Sequence, residues 1–109
     1  MIPLIEHRLP EVAVLCRRFG VQRLDLFGSA ATGQFDPESS DLDFIATFRN
    51  TRRPGYADRY LDFVEALEIL FQRPVHVVTE RSIRSPRFRQ AVEAVRQKVY
   101  DERDNAQAA

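Results

Sequence analysis

Three short apolar runs, at residues 21–27, 41–48 and 75–78, lie between longer stretches whose apolar residues recur at helical spacing. That alternation restricts the fold more than any other feature. Strands this short leave backbone groups unpaired unless they share a sheet, and amphipathic segments must bury their apolar faces against it. In the first run Leu24 and Leu26 take one face and Arg23 and Asp25 the other. Asp25 is read as a surface residue or as the cross-strand partner of an arginine. The 109 residues suffice for one core and leave no length for a second. The expected class is α/β (α+β), a small mixed sheet covered by helices, over residues 1–100. A polar, alanine-ended tail at 101–109 is expected to fray.

The first helix enters between Pro3 and Pro10 and stops at Gly20. Val12, Leu15, Cys16 and Phe19 share one of its faces, which assigns the single cysteine to packing and leaves it no internal disulfide partner. Tyr56, Tyr60, Phe63, Val64, Leu67, Leu70 and Phe71 form the inner stripe of a second helix. Asp58, Arg59, Asp62, Glu65 and Glu68 take much of its opposite side. Ser85 and Pro86 suit the cap and first position of a last helix, expected to run to about Val99.

Lys plus Arg balances Asp plus Glu at 16 each, which argues against direct nucleic-acid binding and against an acidic membrane surface. Arg81, Arg84, Arg87, Arg89 and Arg96 nevertheless crowd one stretch. They are read as a solvated helix and loop face in preference to a phosphate or RNA surface. No run reaches the ~20 apolar residues of a membrane span, and the first residues lack the pattern of a signal peptide. A cytoplasmic protein is expected.

Asp41 and Asp43 carry the chemistry. Residues i and i+2 of a strand face the same way, roughly 7 Å apart at a rise of ~3.3 Å per residue, so their oxygens can converge on a divalent cation. A cation removes the repulsion between them and bridges to phosphate oxygens. Gly28-Ser29, at the end of the first strand, exposes backbone N–H groups and a hydroxyl that can cradle a phosphate. The competing reading has Asp41 capping a turn with Ser39 and Ser40 while Asp43 faces water.

The stretch LFGSAATGQFDPESSDLDFIATF resembles the signature of the minimal nucleotidyltransferases of the polymerase-beta-like superfamily. The likeness is close over residues 24–48 and extends over nearly the whole chain. It implies the polymerase-beta-like nucleotidyltransferase fold, with Gly28 and Ser29 holding a nucleoside triphosphate and Asp41 and Asp43 binding Mg²⁺, Mn²⁺ being the alternative. An acceptor hydroxyl would attack the α-phosphorus and pyrophosphate would leave, the transferred group being AMP from ATP. It also implies an antitoxin whose partner is a HEPN-type ribonuclease, which some members modify by adenylating a tyrosine. The alternatives are a weakened antitoxin that acts by covering its partner, and a nucleotide-binding regulatory domain.

Three departures from the family pattern stand out. Thr32 occupies the place of a common Arg, and residues 30–40 separate Ser29 from Asp41 by one residue more than is commonest. His76 stands where a third strand usually supplies a carboxylate. Imidazole is a poor ligand for Mg²⁺ and an acceptable one for Mn²⁺, and a charged His76 would compete with metal for the aspartates.

Overall fold

Strands β1 (Val21–Phe27) and β2 (Leu42–Phe48) pair antiparallel with Phe27 opposite Asp43, Asp25 opposite Ile45 and Arg23 opposite Thr47. β3 (Val75–Thr79) runs parallel to β2, with Asp43 opposite His76 and Ile45 opposite Val78. Residues opposed in this way share a face, so the register sorts the sheet into two surfaces. One carries Leu24, Leu26, Leu42, Phe44, Ala46, Val75 and Val77, all buried. The other carries Asp25, Phe27, Asp43, Ile45 and His76. These relations come from a computed structural model, which describes residues 1–104.

The apolar face packs against α1 (Pro3–Glu6), α2 (Leu9–Arg18) and α4 (Tyr56–Phe71), and Ile5, Val12, Cys16, Phe63, Leu67 and Phe71 complete one core. Phe44 stacks on Phe71, and Phe63 meets Phe48 edge-on at 5.7 Å. The expected inner stripe of α4 is therefore core. Cys16 is fully buried, and burial pushes its thiol up to about 12, which makes it an inert packing residue. The single first helix expected from the sequence is instead two. Pro10 has no N–H to offer the carbonyl of Glu6 and its ring crowds that turn, so the chain breaks at His7 and Arg8.

Arg59 and Glu68, expected on the polar side of α4, both turn inward. Arg59 donates to the carbonyls of Phe19 (2.9 Å) and Arg49 (2.6 Å), closing the ends of α2 and β2. Glu68 accepts from the N–H of Val75 at 3.2 Å, and Tyr60 Oη donates to the carbonyl of Val77 at 2.6 Å. β3 is an edge of the sheet, and these two side chains occupy backbone groups that would otherwise invite another strand.

The last helix, α5 (Pro86–Val95), begins as expected, with Ser85 Oγ accepting from the N–H of Phe88 at 3.2 Å. It does not reach Val99. The backbone turns extended at Arg96, and β4 (Gln97–Asp101) pairs antiparallel with β1, giving the order β3-β2-β1-β4. A helix to Val99 would have left one side of β1 without hydrogen-bond partners, and that tertiary demand overrides the local helical spacing. The folded domain consequently passes residue 100: Asp101 ends β4, is buried, and pairs with Arg103 at 2.7 Å. Residues 105–109 of the expected tail lie outside the described residues. Among the described residues no helix is long and apolar enough to cross a membrane.

α5 is held over the second face of the sheet by Phe88, edge-on to Phe27 at 5.9 Å, and by Arg96. Asp25 is fully buried, not a surface residue, and its partners are arginines: Arg96 Nε at 2.5 Å and Arg23 Nε at 3.2 Å. Arg96 also reaches Glu80 (2.8 Å) and Glu93 (2.6 Å), and Arg89 pairs with Glu80. Two members of the arginine-rich stretch thus form an internal ion-pair network, and a third, Arg81, donates to Thr51 at 2.7 Å. Arg81, Arg84 and Arg87 keep the exposed character expected of all five.

Removing one partner of a buried ion pair leaves the other uncompensated, at a cost of about 3–5 kcal/mol. Arg96→Met is expected near the low end, about 3 kcal/mol, because Arg23 still faces Asp25. Asp25→Asn in the same chain should recover part of the loss; urea unfolding measures both, and a loss under about 1 kcal/mol would mean Asp25 does not depend on Arg96. The same network predicts a pH dependence. Hydrogen bonds from Arg96 hold Glu80 well below its ordinary 4.5, at about 2. Its contribution is therefore fully present above pH 4.5 and is lost as pH falls toward 2. Glu80→Gln should flatten that part of the acid-unfolding curve, and an unchanged slope would contradict it.

Candidate functional site

The part of the second face that α5 leaves open lies at the junction of β1, β2 and β3. β1 ends at Gly28, whose φ of 71° and ψ of −155° belong to a region that only glycine occupies readily. A Cβ on Gly28 would lie 3.1 Å from Cγ and 3.2 Å from Cβ of Asp43, and closer still to its Oδ2. The register explains this approach, since Phe27 is the partner of Asp43 and the next residue turns directly over its carboxylate.

Ser29 opens the one-turn helix α3 (Ser29–Thr32), which Gly33 ends in the left-handed conformation. Its carbonyl accepts from Gln34 N–H at 3.2 Å and from Thr32 Oγ1 at 3.3 Å. Its hydroxyl makes no side-chain hydrogen bond among the described residues. Thr32, in the place of the common Arg, is thus a short hydroxyl turned back on its own turn.

The longer loop to Asp41 is ordered by Asp36. Its carboxylate accepts from Glu38 N–H and Ser39 Oγ, each at 2.9 Å, and its carbonyl from Ser40 N–H at 2.8 Å. The bonds to the carboxylate, led by that from Glu38, lower the pKa of Asp36. Asp36, and not Asp41, is therefore the residue that makes a turn with Ser39 and Ser40, which leaves Asp41 with a different set of contacts.

Asp41 immediately precedes β2, and its Oδ2 lies 3.0 Å from His76 Nε2, so His76 does meet the acidic pair. Both groups are accessible, with side-chain exposures of 61% for His76 and 43% for Asp41. Asp43 is half-buried between them and Gly28. Burial raises its pKa, His76 lowers it and Asp41 raises it. A carboxylate whose folded pKa is raised makes the fold less favourable once it ionises, and a cation reverses that penalty.

The donors fit a hard divalent cation. The two carboxylates supply oxygen, and the Gly28 turn packs directly against that of Asp43. Among the described residues no group of three His, Cys, Asp or Glu side chains is arranged to hold a metal, and phosphate oxygens and water are the further ligands that suit the two carboxylates. That is how Mg²⁺ usually binds, through one or two carboxylates and phosphate oxygens.

Gly28, Ser29, Asp41, Asp43 and His76, all singled out in the sequence, lie around this opening. Arg73 was not singled out. Its Nη1 donates to the carbonyl of Ser40 at 3.3 Å and its guanidinium lies over the ring of Phe35, 5.0 Å from the centroid. A lone Arg before Pro74 carries no periodic or motif signal, so only the fold reveals it.

Comparisons with known proteins agree with this geometry. The family model described as a nucleotidyltransferase domain matches residues 12–99. A relative from Methanocaldococcus jannaschii, provisionally named a protein adenylyltransferase, is 31% identical over 80 residues, which cover 73% of this chain and 78% of the relative. A solved structure provisionally described as a minimal nucleotidyltransferase superposes with a TM-score of 0.69 at 34% identity, covering 84% of this chain and 89% of that one. A structure of a tri-AMPylated Shewanella oneidensis HEPN toxin with its MNT antitoxin shares the fold, with a TM-score of 0.62 at 17% identity over 95% of this chain and 78% of that one. With a family match over most of its length and a close structural likeness, the chain belongs to the nucleotidyltransferase domain family and has the fold of its minimal members.

Proposed function

We propose that this protein transfers AMP from ATP to a hydroxyl of a HEPN-type protein partner, with a divalent metal at Asp41 and Asp43. The observation that supports the reading is the contact of the Gly28 turn with the Asp43 carboxylate, which brings the Gly-Ser turn against the acidic pair. Adenylyl transfer is supported by the name of the Methanocaldococcus jannaschii relative, and a HEPN partner by the toxin complex that shares the fold.

The backbone at Gly28 and the hydroxyl of Ser29 hold the triphosphate, and the absence of a Cβ at Gly28 lets the turn itself come close to Asp43. Asp41 and Asp43 hold Mg²⁺, or Mn²⁺, beside the phosphates. When bound, the metal neutralises phosphate charge and favours ionisation of the acceptor hydroxyl. The acceptor oxygen forms a bond to the α-phosphorus as the bond to the β-phosphate oxygen breaks. Pyrophosphate leaves and the hydroxyl proton passes to solvent. The partner presents that hydroxyl to the open face around Asp41 and His76, where both side chains are accessible.

The contact between His76 and Asp41 favours a second reading, in which turnover is weak and the protein inhibits its partner chiefly by covering it. A protonated His76 competes with the metal for Asp41. Neutral, it offers nitrogen, which Mn²⁺ accepts better than Mg²⁺ does.

Two experiments separate the readings. ATP binding to the wild type should strengthen with Mg²⁺ or Mn²⁺, and ATP with metal at a hundred times Kd should stabilise the fold by about 2.7 kcal/mol. Asp43→Asn should lose the metal-dependent part. It should melt no lower than the wild type without metal, because it removes a carboxylate that burial disfavours when ionised. Equal ATP affinity with and without metal in a calorimetric titration would refute the two-aspartate assignment.

His76→Asp should raise Mg²⁺ affinity and the rate of adenylate incorporation into a co-purified partner, while lowering metal-free stability through like-charge repulsion. Efficient Mg²⁺-dependent transfer by the wild type, reduced in His76→Asp, would instead make His76 a working member of the site.

A further inference from the structure

Asp41 lies just outside the strand, so its direction depends on what holds the chain on either side. One short segment, residues 73–76, does so. Arg73 Nη1 donates to the carbonyl of Ser40 (3.3 Å), the N–H of Leu42 donates to the carbonyl of Pro74 (3.2 Å), and His76 meets the Asp41 side chain (3.0 Å). The second and third contacts follow from the parallel pairing of β2 with β3 and from the side chain that stands opposite Asp43. The first does not; it depends on the identity of residue 73.

Arg73 also reaches the other end of the same loop. Its guanidinium covers Phe35, the residue before the Asp36 turn, while its Nη1 bonds Ser40, the residue that closes it. The turn between is already ordered by Asp36, so a grip at both ends fixes it as a unit. The guanidinium lines a groove of about 360 Å³ with Ile2, Leu4, Gly33 and Pro37. Its Nε is buried there with no hydrogen-bond partner among the described residues, a cost set against the hydrogen bond and the stacking that the same side chain makes. A planar cation that both stacks and donates suits the two-ended grip, and lysine reproduces only the donation.

We propose that Arg73 is the positioning residue of Asp41: by holding Phe35 and the Ser40 carbonyl together it aims the Asp41 carboxylate at the opening shared with Asp43. The inference rests on the reading of Asp41 and Asp43 as metal ligands. It adds a residue that touches neither metal nor nucleotide, and it assigns to this chain the means by which the extended loop is kept in register.

The test uses the full chain without nucleotide, as wild type, Arg73→Ala, Arg73→Lys and Phe35→Leu. Hydrogen–deuterium exchange over residues 34–42 reads the loop, and titration with Mn²⁺ followed by its paramagnetic resonance signal reads the metal site. Arg73→Ala should speed exchange in that loop and leave β1 and β4 unchanged. It should weaken Mn²⁺ binding by about tenfold, the loss expected from a hydrogen bond and a stacked cation. Arg73→Lys should recover part of both effects, and Phe35→Leu should reproduce part of both, so the test stands even if the alanine variant folds poorly. Unchanged loop exchange overturns the grip, and a loosened loop with unchanged Mn²⁺ affinity overturns the positioning role. A wild type that binds no Mn²⁺ overturns the underlying metal-site reading and this role with it. That failure is distinguishable because the loop would still loosen in Arg73→Ala.

Discussion

The β1–β2 register governs both the core and the opening. With Phe27 opposite Asp43, the leucines of β1 fall on the face that packs against α2 and α4, and the chain turns over Asp43 one residue later. A slip of a single residue would send Leu24 and Leu26 to the charged face and carry the Gly28 turn away from the carboxylate. Stability and site geometry are therefore selected together: the alternation that fills the core also brings glycine to the one place where a Cβ would collide with Asp43. Parallel pairing of β3 extends the same logic, placing His76 opposite Asp43 and its Nε2 against Asp41.

Charge on the second face of the sheet is divided into two regimes. Under α5, every acidic group of the cluster has a guanidinium: Asp25 with Arg96 and Arg23, Glu80 with Arg96 and Arg89, Glu93 with Arg96 and Arg89. Glu80, tied in this way, is not available as a substitute for a third carboxylate at the opening. Beyond the edge of α5, Asp41 and Asp43 have no arginine partner among the described residues, and the side chain that meets Asp41 is an imidazole. The contrast is physically informative, because the chain has arginines to spare and pairs them with Asp25 on the neighbouring strand. Asp43 is left ionisable but disfavoured by burial, the condition under which a bound cation contributes most.

Much of this was legible in the sequence because it is written in local patterns. The alternation at residues 21–27, the helical stripe of α4, the Ser85 cap and the Gly-Ser and Asp-x-Asp pairs all report themselves within a few residues. What was not legible depends on partners distant along the chain. Arg96 looked like one of five solvated arginines because its ligands, Asp25 and Glu80, come from other elements. Residues 97–101 carry no strong strand pattern, and only the unpaired side of β1 makes them a strand. Arg59 and Glu68 sit at positions whose spacing marks them as exposed and Arg73 at one without a spacing signal, yet each ends on a backbone group that would otherwise lack a partner or a fixed direction. Polar residues that act on the backbone of another element carry no periodicity to betray them.

The shortage of protein ligands at the opening has a thermodynamic consequence in the proposed reading. Mg²⁺ demands near-octahedral oxygen coordination, and two carboxylates leave most of those positions to phosphate oxygens and water. Metal and triphosphate then stabilise each other's binding, and linkage makes the coupling reciprocal: the factor by which metal tightens ATP is the factor by which ATP tightens metal. A third carboxylate would weaken that mutual dependence by tightening the binding of metal on its own. With His76 in its place, its Nε2 3.0 Å from the Asp41 carboxylate, the free ion binds weakly but measurably, and the phosphate charge of a bound nucleotide tightens it. The same substitution that lowers affinity for the free ion therefore ties occupancy of the site to the presence of the nucleotide.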